Sequence, residues 1–147
     1  MEQYIQKISQ YNIFSHFDHF YVVDRIIDRV NAGYVVPVIN QTGSSGVITS
    51  PNYPNNYPYD SLVYYHISAP SNYSMIILTV IDFELGQNAV LIIFNGELTD
   101  NNDRLYALWD PIDAGTSHKV PSNATSLLLH DNCWGAARGF KISWIAV

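Results

Sequence analysis

Residues 46–58 read GVITSPNYPNNYP, a short β-branched run followed directly by three prolines. Proline has no backbone N–H to donate to a neighbouring strand, so these prolines exclude a central strand at this point. Each proline also favours extended geometry in the residue before it. The stretch therefore predicts a stiff connector between two strands, with the rings of Tyr53 and Tyr57 packed against the end of the fold.

Downstream of this connector, short apolar segments alternate with turns rich in Asn, Asp, Gly and Pro. Residues 62–68, LVYYHIS, alternate, which places Val63, Tyr65 and Ile67 on one face. Residues 139–147, GFKISWIAV, alternate in the same way. Further candidate strands are GVITS, SMIILTVIDFEL, AVLIIFNG, RLYALW, SHKV and ATSLLLHD. Many short strands with little helix predict an all-β fold, an antiparallel β-sandwich.

The N-terminal part of the chain has a different pattern. Apolar residues at helical spacing predict one amphipathic helix over about residues 18–31: Phe20, Val23, Ile27 and Val30. We expect residues 1–42 to form an N-terminal helical extension and linker, and residues 43–147 to form the sandwich domain. The apolar stripe of the helix needs a covering surface. Packing against the sandwich is the first expectation, and a partner or a second copy is the alternative.

Composition and motifs exclude several functional classes. The chain has 147 residues, with 7 Lys and Arg against 13 Asp and Glu and no basic cluster, so no nucleic-acid partner is expected. The longest apolar run is far short of the ~20 residues that cross a membrane, so no membrane insertion is expected. Neither a G-x-S-x-G elbow nor an H-E-x-x-H motif occurs, which predicts that the chain is not an enzyme.

Three Asn-x-Ser/Thr triplets are candidate N-glycosylation sites, and they begin at Asn40, Asn72 and Asn123. They favour an extracellular setting, although such triplets also arise by chance. The N-terminal residues show no secretory signal pattern. The single cysteine, Cys133, cannot form an internal disulfide, so cysteine usage does not mark the chain as secreted.

The connector GVITSPNYPNNYP resembles the opening signature of the CUB domain, a family of extracellular β-sandwich modules of jelly-roll type. VYYHISAPSNYSMIILTVIDFEL is similar to the second block of the family, where a strand ends in Ala-Pro and a long strand follows. LIIFNG, SLLLHDN and GFKISW resemble later strands and occur in the family's order. The resemblance covers about residues 43–147. It implies a non-catalytic extracellular module that binds protein or carbohydrate.

The chain departs from the family at its framework positions. The family usually has four cysteines in two disulfides, and none of them is present here. Val63 precedes the position of a family tryptophan, which is Tyr65 in this chain. The second cysteine pair would fall near Asn88 and at about Tyr106. We expect Val63 and Tyr106 to fill space that a cystine would otherwise occupy.

The resemblance also implies a calcium site at one end of the sandwich. Many members of the family hold one calcium ion by carboxylates from separate loops, the chemistry that this hard cation prefers. Glu84 and Asp131 match the first and third family positions, whereas residues 87–95 contain no acid for the second. The implied site is therefore incomplete. No other cofactor is expected.

Loop aromatics are the candidate ligand contacts. Tyr53, Tyr57, Tyr59 and Trp134 fall in loops or at strand ends, where rigid aromatic rings make good protein or glycan contacts. Packing against the end of the sandwich is the alternative role for at least half of them. Two other functions stay open: an accessory domain of a larger secreted protein such as an astacin-like metalloprotease, and an intracellular interaction domain. The sequence does not fix the oligomeric state.

Overall fold

A computed structural model describes residues 36–96, 104–131 and 137–147 of the chain. These residues form nine strands: β1 Val38–Thr42, β2 Ser45–Thr49, β3 Leu62–Ser68, β4 Ile76–Glu84, β5 Val90–Asn95, β6 Arg104–Leu108, β7 Ser117–Val120, β8 Ala124–His130 and β9 Gly139–Ala146. The helix predicted over residues 18–31 lies outside the described residues. Within the described ranges, no helix has the length and apolar character needed to cross a membrane.

The strands form two sheets packed face to face. The first sheet has five strands in the order β1-β3-β8-β5-β6, and the second has four in the order β2-β9-β4-β7. Neighbouring strands are antiparallel except for β1, which is parallel to β3. The predicted all-β sandwich is therefore confirmed.

The core lies between the two sheets and follows the alternation of the sequence. Val63, Tyr65 and Ile67 of β3 are all buried in it, as predicted. In β9 the alternate apolar residues are buried against them: Phe140, Ile142, Trp144 and Ala146. Burial of apolar side chains stabilises the fold by roughly 25 cal/mol for each Å² removed from water. This core extends along the whole length of the sandwich.

Strand β1 lies within the segment that the sequence analysis assigned to the linker. Its Gln41 joins the two sheets, because Nε2 donates to the Val47 carbonyl oxygen at 2.7 Å and Oε1 accepts from Trp144 Nε1 at 2.6 Å. Gly46 makes room for this contact, since a Cβ there would come within 2.6 Å of Trp144 Nε1. The polar composition of β1 hid its strand character, and it serves as a sheet edge.

Two tyrosines lie at positions where the family resemblance implies framework residues. Tyr65 is fully buried, donates its hydroxyl hydrogen to the Thr49 carbonyl oxygen at 2.7 Å and packs edge-on against Phe140 with ring centroids 5.6 Å apart. Tyr106 packs against the core and donates to the Lys119 carbonyl oxygen at 3.0 Å. Each ring fills space and ties two strands together, so aromatic packing and hydrogen bonds hold these positions.

Strand direction brings several loops to one end of the sandwich. β2, β4, β6 and β8 finish at this end, and β3, β5 and β9 begin there. We call it the proline-loop end, which comprises residues 50–61, 85–89, 109–110 and 137–138 together with Asp131. Residues up to 90 positions apart in the sequence therefore meet in one place.

Candidate functional site: the proline-loop end

The proline loop is fixed at its start by Ser50. This buried residue forms a reciprocal pair with β9: its N–H donates to the Phe140 carbonyl oxygen at 3.0 Å, and its Oγ accepts from the Phe140 N–H at 3.0 Å. Gly139 has φ +88°, and a Cβ there would overlap the Ser50 side chain. Glycine at position 139 therefore leaves the room that the Ser50 side chain needs to lie against the backbone of β9.

Tyr57 anchors the middle of the loop and is only 1% exposed. Its N–H donates to the Ala137 carbonyl oxygen at 3.0 Å, and its hydroxyl oxygen accepts from the Gly86 N–H at 2.8 Å. Burial raises the pKa of the hydroxyl, and the nearby Asp131 and Glu84 carboxylates raise it further. The Tyr57 ring packs into the core, as the prediction for the connector expected, so it is not exposed for ligand contact.

Tyr59, two residues further on, is 72% exposed. The turn that carries it is held on its C-terminal side by Asp60, whose N–H donates to Asp131 Oδ2 at 3.0 Å, and by the Ser61 hydroxyl, which donates to the Pro58 carbonyl oxygen. Asp60 has φ +63°. A large aromatic ring therefore projects into solvent from a turn whose backbone is fixed.

A hollow of about 450 Å³ lies beside this ring. It is lined by Tyr59, Asp60 and three prolines: Pro37, Pro51 and Pro58. A second hollow, of about 520 Å³, lies between residues 85–89 and Trp109 and Asp110. Both hollows are open to solvent, and each has an aspartate beside apolar side chains in its lining.

A charged cluster occupies the side of this end next to β4. Arg138 donates from Nε to Asp82 Oδ2 and from Nη2 to Asp82 Oδ1, both at 2.7 Å, and from Nη1 to Glu84 Oε2. The Tyr53 hydroxyl also donates to Asp82 Oδ2, at 2.8 Å. These hydrogen bonds, chiefly those from the guanidinium, lower the pKa of Asp82 to about 2. Tyr53 thus belongs to a structural network that spans the proline loop, β4 and the segment before β9.

The described residues bring Glu84 and Asp131 near the same Tyr57 hydroxyl, but they do not form a complete calcium site. Glu84 is ion-paired with Arg138, and both side chains are partly exposed. Asp131 is fully buried and accepts the Asp60 N–H. In the described part of the chain, no three His, Cys, Asp or Glu side chains cluster closely enough to hold a metal ion.

The candidate glycosylation residues lie away from the proline-loop end. Asn72 is exposed in the turn between β3 and β4 at the opposite end, and Asn40 is exposed on the edge strand β1. Asn123 differs, because its Nδ2 donates to the Ala69 carbonyl oxygen at 3.1 Å. The last residue of its triplet, Thr125, is buried and donates to the Phe94 carbonyl oxygen. Trp134 lies outside the described residues.

Comparison with known families agrees with this geometry. The family model described as "CUB domain" matches residues 38–144. The chain belongs to the CUB domain family. Domains of this family are generally non-catalytic binding modules.

Solved structures share the fold at low sequence identity. The extracellular region of zebrafish Gpr126/Adgrg6 matches with a TM-score of 0.64 and 22% identity over 77% of this chain and 15% of that one. The CUB1-EGF-CUB2 domains of rat MASP-1 match with a TM-score of 0.62 and 19% identity over 75% of this chain and 42% of that one. The chain thus spans less than half the length of either structure.

A single-domain structure also matches. The MASP-1 CUB2 domain, solved with bound Ca²⁺, gives a TM-score of 0.53 and 22% identity over 75% of this chain and 97% of that one. At these identities the likeness shows the fold. This likeness does not show that the chain binds the ligands of those proteins.

Proposed function

We propose that this chain is a non-catalytic extracellular binding module that recognises a protein ligand through its proline-loop end. The observation that carries the proposal is Tyr59, which is 72% exposed on a turn held by hydrogen bonds from Asp60 and Ser61. An aromatic ring presented on a fixed backbone loses little conformational freedom on binding, and such rings are common energetic centres of interfaces.

The charge at this end favours a ligand that presents lysine or arginine. Arg138 is committed to Asp82 and Glu84, so its charge is already balanced. Asp60 lines the hollow beside Tyr59, and Asp110 lines the second hollow. Both aspartates add negative charge to this end, which favours a basic ligand side chain whose aliphatic part packs on the tyrosine ring.

The positions of the candidate glycosylation sites agree with ligand binding at the proline-loop end. We propose that Asn40 and Asn72 carry glycans, because both side chains are exposed and lie outside the proline-loop end. Glycans there would leave the proposed binding end uncovered. Mass spectrometry of the protein secreted from a eukaryotic host tests this. Glycan occupancy at both residues is expected, and two unmodified asparagines would contradict it.

The experiment that tests the binding function uses the tagged full chain as a probe on an array of secreted proteins and receptor ectodomains, with a glycan array in parallel. We expect a protein hit whose affinity falls at least about tenfold for Tyr59→Ala, the effect expected of a central interface residue. Ile145→Ala is the matched control, because Ile145 is 51% exposed on the outer face of the second sheet.

Two outcomes would contradict the proposal. Equal affinity of Tyr59→Ala and Ile145→Ala for the hit would place the binding surface elsewhere. Binding to glycans with no protein hit would contradict the proposed ligand class. Circular dichroism of both variants shows whether the fold is retained, so a loss of affinity is not confused with unfolding.

A further inference from the structure

Two sheet edges meet on one side of the sandwich, where β6 is the last strand of the first sheet and β7 is the last strand of the second. No strand pairing joins β6 to β7 in the part of the chain that the structure describes. Side chains connect them instead. The Tyr106 hydroxyl on β6 donates to the Lys119 carbonyl oxygen at 3.0 Å, and the Tyr106 ring lies against His118, with ring centroids 4.7 Å apart. We call these three residues the edge clasp.

His118 turns its side chain towards the interior of the sandwich. It is paired with Leu78 of β4, which is 1% exposed, and directly opposite residues of an antiparallel pair share one face. Ser117 and Lys119, on either side of it, are exposed. Its Nε2 atom is buried and has no hydrogen-bond partner among the described residues. The edge clasp therefore contains a titratable ring nitrogen that is shielded from solvent.

This environment accepts the neutral imidazole and opposes the imidazolium. A protonated histidine carries a positive charge and has an N–H donor on both ring nitrogens. Burial of a charge or a donor without a partner is costly, whereas the neutral ring leaves one nitrogen unprotonated. Burial accordingly lowers the pKa of His118 from its ordinary value of 6.5.

The charged groups on the neighbouring strands do not supply His118 with an acidic partner. Strands β5, β6 and β7 contain no acidic residue, and their cations are Arg104 and Lys119. On β4, Asp82 and Glu84 belong to the ion-pair network at the proline-loop end. The acids of the loop between β6 and β7 are exposed to solvent: Asp110 and Asp113.

We propose that the edge clasp is an acid-sensitive contact, which is closed when His118 is neutral and opens when His118 is protonated. Opening would hydrate the imidazolium and separate β7 from the Tyr106 ring. The stability contributed by the closed clasp is present above about pH 6.5, where the ring is neutral in both the folded and the unfolded state. It is lost as the pH falls below this value, because the unfolded state then binds the proton more tightly than the folded state.

The edge clasp is connected to the proposed binding end through the chain. Residues 109–116 link β6 to β7, and the first two of them line the second hollow. This loop is also attached to β4, since the Gly115 N–H donates to the Val80 carbonyl oxygen at 2.7 Å and the Val80 N–H donates to the Thr116 carbonyl oxygen at 2.9 Å. Acid is therefore expected to loosen one wall of the hollow. The clasp itself does not depend on the proposed ligand, so its tests use the free chain.

NMR titration of the full chain, labelled with nitrogen-15, tests the protonation step directly. The imidazole signals are followed from about pH 8 to about pH 4.5, and His118→Gln identifies the signal that belongs to His118. We expect its titration midpoint to lie below pH 6.5. A midpoint at or above this value would overturn the proposal, because it would show that the folded protein stabilises the imidazolium, for example on the Tyr106 ring.

Amide hydrogen exchange at about pH 7.5 and about pH 5.5, corrected for the intrinsic pH dependence of exchange, measures the opening. In the wild type we expect the protection of the Gly115 and Val80 amides to fall at least about tenfold at the lower pH. His118→Phe keeps an aromatic ring but cannot titrate, and its protection should change far less. Equal changes in the two proteins would overturn the proposal.

Thermal melting at the same two pH values gives an independent readout. The wild type is expected to lose a few degrees more than His118→Phe on acidification. Tyr106→Phe is the matched control, because it removes the hydrogen bond to Lys119 and leaves His118 in place. This variant is expected to melt lower at both pH values and to keep the pH dependence. A loss in His118→Phe as large as in the wild type, repeated in His118→Gln, would overturn the proposal.

Discussion

Arg138 holds Asp82 with a bidentate pair of hydrogen bonds, from Nε and Nη2 to the two carboxylate oxygens at 2.7 Å each. The two residues are 56 positions apart and come from the segment before β9 and from β4. Their pairing joins the start of β9 to β4, the two central strands of the second sheet, at the end where the loops converge. Glu84 and Tyr53 complete the network, so the proline loop is attached to it as well.

Removing the guanidinium should loosen this end of the sandwich. Arg138→Gln leaves Asp82 and Glu84 as adjacent like charges without a cation, so we expect the melting temperature to fall by a few degrees. Lys119→Gln removes one positive charge from an exposed position on β7 and is expected to have little effect. Differential scanning calorimetry of both variants measures this. An equal change in the two would show that the ion-pair network does not stabilise the fold.

The same network predicts a pH dependence. The pKa of Asp82 is lowered from 3.8 to about 2, so the folded state holds this carboxylate ionised. The stability contributed by the pair is therefore present above about pH 4 and is lost as the pH falls towards 2. The difference in melting temperature between wild type and Arg138→Gln should narrow over this window. A difference that stays constant from pH 6 to the acid limit would contradict the assignment.

The buried hydroxyl of Tyr57 should contribute to stability in its own right. Tyr57→Phe leaves the Gly86 N–H without the acceptor that now lies at 2.8 Å, and we expect a loss of about 1 kcal/mol in the free energy of unfolding. Tyr59→Phe is the control, since that side chain is 72% exposed, and its effect should be within about 0.5 kcal/mol. Urea denaturation measures both. An unchanged free energy of unfolding in Tyr57→Phe would mean that the hydroxyl does not stabilise the fold.

Alanine variants of two glycines with similar backbone conformations separate the cost of backbone strain from the cost of steric overlap. Gly139 and Gly115 have φ of +88° and +89°, so alanine is strained at both, at a cost of about 1–2 kcal/mol. A Cβ added at Gly115 would have no heavy atom within 4 Å, whereas a Cβ added at Gly139 would overlap the Ser50 side chain. We expect Gly139→Ala to destabilise clearly more than Gly115→Ala, as measured by urea denaturation. Equal losses would show that the loop tolerates displacement of Ser50.

The sequence predicted most of the fold, because alternation and turn residues are local signals. Every strand from β2 to β9 was expected, and the inward face of β3 was assigned correctly. Strand β1 was assigned to the linker, since its polar residues lack an apolar alternation. The burial of Leu62 and Tyr64 on the other face of β3 was not predicted, because alternation was used to assign only one face of that strand to the core.

The candidate site was less predictable. Tyr57 and Tyr59 are both tyrosines next to Pro58 in the sequence, yet Tyr57 is buried and Tyr59 projects into solvent. Their difference is set by how the loop turns and by contacts with distant residues such as Gly86. Arg138 was missed because its partners lie more than 50 residues away and no local pattern marks an ion pair of that separation.

The central claim is that the proline-loop end of this CUB domain is held by protein contacts, with Arg138 beside the carboxylate that the family resemblance assigns to calcium. Thermal melting of the full chain in millimolar calcium and in chelator tests it most directly. We predict the same melting temperature in both. A melting temperature that rises with calcium, and no longer does so in Glu84→Ala, would show that the end holds a metal ion and would contradict the account.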